Sequence, residues 1–206
     1  MGVKNIFMIN LLPEIKNRVS PIIFQDKAVP KEKLDAVLEA ARLAPSSYNR
    51  QPWRYIVANE SAALAKAHKG LALGNFWAKQ APVIIIVISK PSFDDQVDGK
   101  EYYLYDTGLS VMLLVIEATH QGLSTHQMLG FKEDVVKKEF SIPDDWRIIV
   151  VIAMGHEGDL SSRKGSIIEK FGLGAFEKLR DRIASPRMRK ELKEVVSFNG
   201  FGFREE

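Results

Sequence analysis

The sequence predicts an α+β fold, with helices packed around a mixed central sheet, and three observations carry that expectation. Residues 83–89 and 147–154 are apolar, and six consecutive β-branched residues open the first run. Strands of that kind lie inside a sheet covered on both faces. Segment 102–121 is apolar nearly all round between Leu109 and Ala118, as in a helix buried on most sides. Finally, five or so strand-like stretches alternate with helical ones, which places the chain among sheet-and-helix layer architectures.

Each element follows from local chemistry. Ser20-Pro21 breaks a short helix that starts near Pro13. Arg18 and Ser20 are two apart in extended chain and face one side. A guanidinium and a hydroxyl that converge can hold a phosphate, although a solvated arginine beside a turn serine fits the same residues. Val29-Pro30 opens the next helix, with Leu34, Val37, Leu38 and Ala41 forming one apolar face. Pro45 ends it, and Pro52 keeps the exit extended into a strand at 54–58.

Between those prolines stand Ser46, Ser47, Asn49 and Gln51. All four side chains donate and accept hydrogen bonds. The turn suits a planar heterocycle with donors and acceptors along one edge. A plain polar turn anchored by Trp53 is the alternative.

A helix is expected at 62–73, then Asn75, either a helix cap or a ligand contact. The polar segment 91–100 carries Asp94, Asp95 and Asp98 and reads as a mobile solvated loop rather than a metal site. After the long helix, Gly130 permits close approach of backbone to a ligand. His126 has no evident catalytic partner and reads as structural. A helix at 132–140, another at 175–184 and a final strand at 194–198 complete the chain. Gly172-Leu173-Gly174 lacks the third glycine of a dinucleotide fingerprint. Arg187 and Arg189 alternate, so in extended chain both face one way and can join Arg18 around a phosphate; a solvated basic stretch is the alternative.

Composition excludes several classes. The chain has 206 residues, 46% of them hydrophobic, enough for one domain with a substantial core. Net charge is +3, too mild for a dedicated nucleic-acid binder. No cysteine is present, so disulfides, thiolate zinc sites and self-ligated iron–sulfur clusters are excluded. The longest apolar runs are too short to span a bilayer, and no cleavable leader is evident. A cytoplasmic protein is expected, with no nucleic-acid or membrane partner.

Residues 40–53, Ala40-Ala41-Arg42-Leu43-Ala44-Pro45-Ser46-Ser47-Tyr48-Asn49-Arg50-Gln51-Pro52-Trp53, closely resemble the signature AAxxAPSSxNxQPW of the nitroreductase family of flavoproteins. Four further places resemble that family in the same order. Arg18, Ser20 and Phe24 match RxSxR/KxF, with Ile22 where a second cation is usual. Asn75-x-Trp77-Ala78-x-x-Ala81-Pro82 and Asp106-x-Gly108 follow. His126-Gln127-Met128-Leu129-Gly130-Phe131 resembles HQMxGF, and residues 186–196 resemble PRxRKxLxEVV.

The resemblance implies one nitroreductase-like domain over 1–206, with 186–206 as a C-terminal extension that adds an edge strand to the partner subunit's sheet. It implies a homodimer with FMN at the interface. The implied cofactor-binding residues are Arg18, Val19, Ser20, Pro45, Ser46, Ser47, Asn49, Gln51, Asn75, Met128, Leu129, Gly130, Arg187 and Arg189. At 128–130 the implied contact is from the main chain. Hydride is expected to pass from NAD(P)H through flavin N5 to a small organic acceptor, such as a nitroaromatic, a quinone or an activated alkene, in ping-pong order. The chemistry is then the cofactor's, with no metal and no covalent or acid–base side chain required. A flavin-binding or flavin-sensing module without turnover is the alternative.

Overall fold

The run of β-branched residues becomes the middle of the sheet. In the computed structural model, which describes residues 10–94, 97–161, 169, 172–184 and 188–202, β2 (Val83–Ser89) is buried along its whole length. It pairs on one side with β1 (Arg54–Ala58) and on the other with β4 (Arg147–Gly155). β3 (Ser124–Met128) closes the far edge, giving the order β1-β2-β4-β3.

Every pairing is antiparallel, so the expected mixed sheet is corrected. A parallel pair needs a crossover that returns the chain to the opposite end of the sheet. Here Ala58 at the end of β1 faces Ile84 at the start of β2. The connection holds α3 (Ser61–Gly70) and then a 3₁₀ stretch, Leu73–Gln80, so the chain goes out and comes back. β3 was not expected as a strand, because Ser124, His126 and Gln127 give it a polar composition at an edge.

On one sheet face, Val83, Ile85 and Val87 of β2 and Val150, Ile152 and Met154 of β4 form a core with two helices. These are α2 (Lys31–Arg42), through Leu34, Val37 and Ala41, and α4 (Tyr102–His120), through Leu114, Val115 and Ala118. The alternation of strand side chains selects the odd residues of β2 for this face. Toward β1 and β2 lies α3, which also packs on α5 (Glu133–Phe140). A short helix, α1 (Pro13–Asn17), touches α4.

α4 is buried on one face only. Leu104, Tyr105, Met112 and Leu113 stay exposed, spread over the half of the helix turned away from the core. Among the described residues, no helix is long and apolar enough to cross a membrane.

The contacts divide the chain into two compact units, Met1–Ser166 and Ile167–Glu206. All four strands belong to the first. The second holds α6 (Leu173–Ala184) and α7 (Leu192–Val195). The expected strand at 194–198 is corrected in part: residues 192–195 form a helical turn. The turn is closed by a capping box, in which the Glu191 and Glu194 side chains each take the other's backbone N–H. Val196, which follows it, is extended, with φ −129° and ψ 129°.

The core should fail first at α4. Leu114 is fully buried among β2 and β4 side chains, so Leu114→Ala should cost about 2–5 kcal/mol, the range for a buried large-to-small change. Urea denaturation of the variant against the parent measures it, and a loss under about 1 kcal/mol would contradict this packing.

Candidate functional site

The helix-ending Pro45 releases the chain into a turn whose backbone is strained. Tyr48, Asn49 and Gln51 have φ of 45°, 55° and 49°. Asparagine tolerates that region, but for tyrosine and glutamine such conformations cost of order 1–3 kcal/mol each and persist only where the surroundings impose them. The surroundings are identifiable. The Ser47 N–H donates to Oδ2 of Asp106 at 2.9 Å, from the buried face of α4. The Gln51 N–H donates to Ser46 Oγ at 2.9 Å. Asn49 and Arg50 donate to the Ser46 and Ser47 carbonyls, each at 3.0 Å.

The turn's amide side chains meet each other. Gln51 Nε2 donates to Asn49 Oδ1 at 3.1 Å and to the Asn49 carbonyl at 3.2 Å. Pro45 and Asn49 are exposed, while Ser46, Ser47 and Gln51 are half-buried. Beneath them Ser110 donates to the Ala41 carbonyl at 2.6 Å and accepts from Tyr55 Oη at 2.5 Å. Burial pushes the Tyr55 phenol up to about 12, against the lowering effect of Ser110, so it remains a donor. The chain from Ala41 through Ser110 to Tyr55 pins both ends of the turn to α4.

Arg18, Val19 and Ser20 are half-buried. Arg18 Nη1 donates to Ser20 Oγ at 3.0 Å, and no carboxylate pairs with Arg18 among the described residues. Ile22, where a second cation was looked for, is 5% exposed and belongs to the core. The chain is half-buried through 18–20 and buried from 21 to 24, and an apolar residue at 22 follows from that burial.

β3 ties this segment to the next. His126 Nδ1 lies 2.9 Å from the Pro21 carbonyl, and its ring sits 4.4 Å from that of buried Trp77. These contacts tie the histidine ring to the backbone at Pro21 and to the indole of Trp77. Past β3, the Gly130 carbonyl accepts from Ala72 N–H at 3.0 Å and from Asn75 Nδ2 at 2.9 Å. A side chain at Gly130 would sit 2.8 Å from that same Nδ2, so the close approach that glycine permits here is to Asn75. Met128 is buried and Leu129 is 82% exposed.

The described contacts therefore join Arg18, Ser20, Asn75 and Gly130 around β3, and hold 45–51 separately against α4. Arg189 belongs to the second unit, is exposed, and donates to the Met188 carbonyl at 2.8 Å. Arg187 lies outside the described residues. The residue that sequence reasoning missed as a site component is Asp106. It was noted only as a helix-start match, and its signal was an acid in the early turns of a mainly apolar helix. A surface cleft of about 760 Å³ beside α5, lined by Glu133, Lys137, Ser141 and Asp144 among others, contains none of the candidate residues.

A half-buried guanidinium beside a hydroxyl and without a carboxylate fits a phosphate monoester, and the 46–51 turn fits the hydrogen-bonding edge of a flavin. The donor set present thus suits FMN.

Comparison with known proteins agrees with that geometry. The Nitroreductase family model matches residues 15–73 and 60–156. A crystal structure described as an oxidoreductase containing FMN is 28% identical, with 96% of each chain covered and a TM-score of 0.79. A nitroreductase family protein of Clostridium difficile 630 is 30% identical over 94% of this chain and 100% of its own, with a TM-score of 0.72. A Methanothermobacter thermautotrophicus protein, provisionally named NADH dehydrogenase/NAD(P)H nitroreductase, is 29% identical over 154 residues, 73% of this chain and 78% of its own.

The turn's dependence on Asp106 is directly measurable. Asp106→Ala removes a charged acceptor from the Ser47 N–H and should lower stability by about 1.5–3 kcal/mol. Asp106→Asn keeps an acceptor oxygen and should cost less. A loss under about 1 kcal/mol for Asp106→Ala in chemical denaturation would show that the carboxylate is not holding the turn.

Proposed function

Since this chain belongs to the nitroreductase family, we propose that it is an FMN-dependent NAD(P)H oxidoreductase that reduces a small organic acceptor. The single observation that carries the reading is the half-buried Arg18, bonded to Ser20 and left without a carboxylate. When bound, FMN supplies hydride acceptance from NAD(P)H and hydride donation to a nitroaromatic, a quinone or an activated alkene, in ping-pong order. Arg18, Ser20 and the Val19 backbone hold its phosphate and ribityl chain, with Arg187 and Arg189 as further cations. Ser46, Ser47, Asn49 and Gln51 present donors and acceptors to the ring edge, and Pro45 sets their entry. Asn75 acts through Gly130, shaping the backbone at 128–130 that borders the ring. These groups bind and orient, and developing negative charge is met by preset N–H donors. The chemistry is assigned to the cytoplasm, where reduced nicotinamide is supplied.

We read the working unit as a homodimer. The exposure of Leu104, Tyr105, Met112 and Leu113 on α4 supports this, because a fully buried Leu or Met is worth about 1.5–3 kcal/mol. A second copy seated on α4 completes the site, and residues 186–206 clasp it.

Heat release of the bound pigment followed by chromatography tests the cofactor: one FMN per chain is expected, and stoichiometric FAD or no pigment uptake would refute the reading. Arg18→Ala should weaken FMN binding roughly tenfold to a hundredfold, the range for one charge-assisted contact, as read by titration of flavin fluorescence.

Sedimentation at low protein concentration should return a dimer. A monomer that retains FMN and turns over acceptors at the normal rate would rule that assembly out.

A further inference from the structure

Between the strained turn and β1, three consecutive carbonyls have no strand partner, yet each is met by a side chain. Arg54 Nη1 donates to the Gln51 carbonyl at 2.9 Å and to the Trp53 carbonyl at 2.6 Å. Between them the Pro52 carbonyl accepts from buried Ser89 Oγ at 2.8 Å. Arg54 opens an edge strand, and its register partner is Ile88. The same guanidinium stands 5.4 Å from the centre of the Phe93 ring, within range for a cation–π contact. Phe93 in turn meets Trp146 edge-to-face at 5.2 Å. An ion pair between Lys90 and Asp145 braces the same two segments. One end of the sheet therefore joins residues 51–54, 89–93 and 145–147 through side chains, beyond the strand pairing of Ser89 with Arg147.

We infer that Arg54 is a positioning residue that couples residues 91–94 to the turn 46–51, so that order on either side stabilises the other. The inference rests on the reading of 46–51 as the flavin-side turn. Its chemistry is specific to arginine: a planar guanidinium can lie on a ring face while one nitrogen bridges two carbonyls, which an ammonium does not reproduce. The carbonyl of Gln51, a residue held at positive φ, is one of the two. Any displacement of Phe93 therefore reaches the most strained part of the turn through a single side chain. By linkage, a ligand that orders the turn also orders 91–94, and the reverse holds equally.

The turn carries its own reporters. The N–H groups of Ser47, Asn49, Arg50 and Gln51 all donate within the turn or to Asp106, so their hydrogen exchange measures its opening. In the flavin-free chain, Phe93→Ala and Arg54→Lys should both accelerate exchange at 46–51 by about two- to fivefold, the factor expected for one exposed cation–π contact. Phe93→Tyr keeps the ring face and should restore the parental rate, whereas Phe93→Leu should not. Titrated with FMN, the Ala, Leu and Lys variants should show Kd raised by a similar factor, and the Tyr variant should not. Faster exchange confined to 91–94, or a Leu variant as good as Tyr, would overturn the coupling. If the parent chain takes up no FMN, the functional reading fails instead, and the exchange measurement still decides whether Arg54 couples the two segments.

Discussion

The hydrogen bond from the Ser47 N–H to the buried Asp106 carboxylate is the contact on which the site depends. It joins a turn with three residues at positive φ to the best-packed helix of the molecule. A carboxylate 5% exposed is costly to bury unless it is hydrogen-bonded, and the turn's N–H meets that need. The exchange is mutual: the turn satisfies the acid, and the acid holds the turn in a conformation its residues would not choose. Evidence of function lies in that strain, since sparsely populated backbone is retained where geometry matters. Ser110 reinforces the arrangement one turn further along α4, linking Ala41 before the turn to Tyr55 after it.

Much of this was legible in the residues. The β-branched runs marked β2 and β4 because nothing but a doubly covered strand accommodates them. The spacing of Leu34, Val37 and Ala41 marked the face of α2 that meets the sheet. Prolines 45 and 52 bracketed the turn correctly. What stayed hidden was of a different kind. Strand direction depends on how many reversals a connection contains, and the 3₁₀ stretch at Leu73–Gln80 has no strong local signature. β3 was hidden by its polar side chains, since an edge strand held by backbone pairing need not be apolar. Residues 192–195 carry strand-compatible valines but are overruled by a local capping box of two glutamates.

The site was legible in its residue types and not in its wiring. Asn75 and Gly130 were both singled out, and their mutual hydrogen bond makes them one feature rather than two. His126 looked isolated in sequence because its partner is a backbone carbonyl 105 positions away. Ile22 broke the expected pattern of cations, and its burial shows why no charge stands there: the side chain belongs to the core beneath Phe24 and Ile23.

That burial has a consequence for how the phosphate is held. With residue 22 turned inward, Arg18 is the cation that the 18–22 segment offers outward, and its one partner there is a neutral hydroxyl. A phosphate monoester carries close to two charges at neutral pH, so a single guanidinium leaves it incompletely neutralised. The further cations proposed for it, Arg187 and Arg189, belong to the sequence's basic stretch at 187–190. α4 thus has two distinct faces: its buried face sets the turn through Asp106 and Ser110, and its outer face leaves Leu104, Tyr105, Met112 and Leu113 exposed.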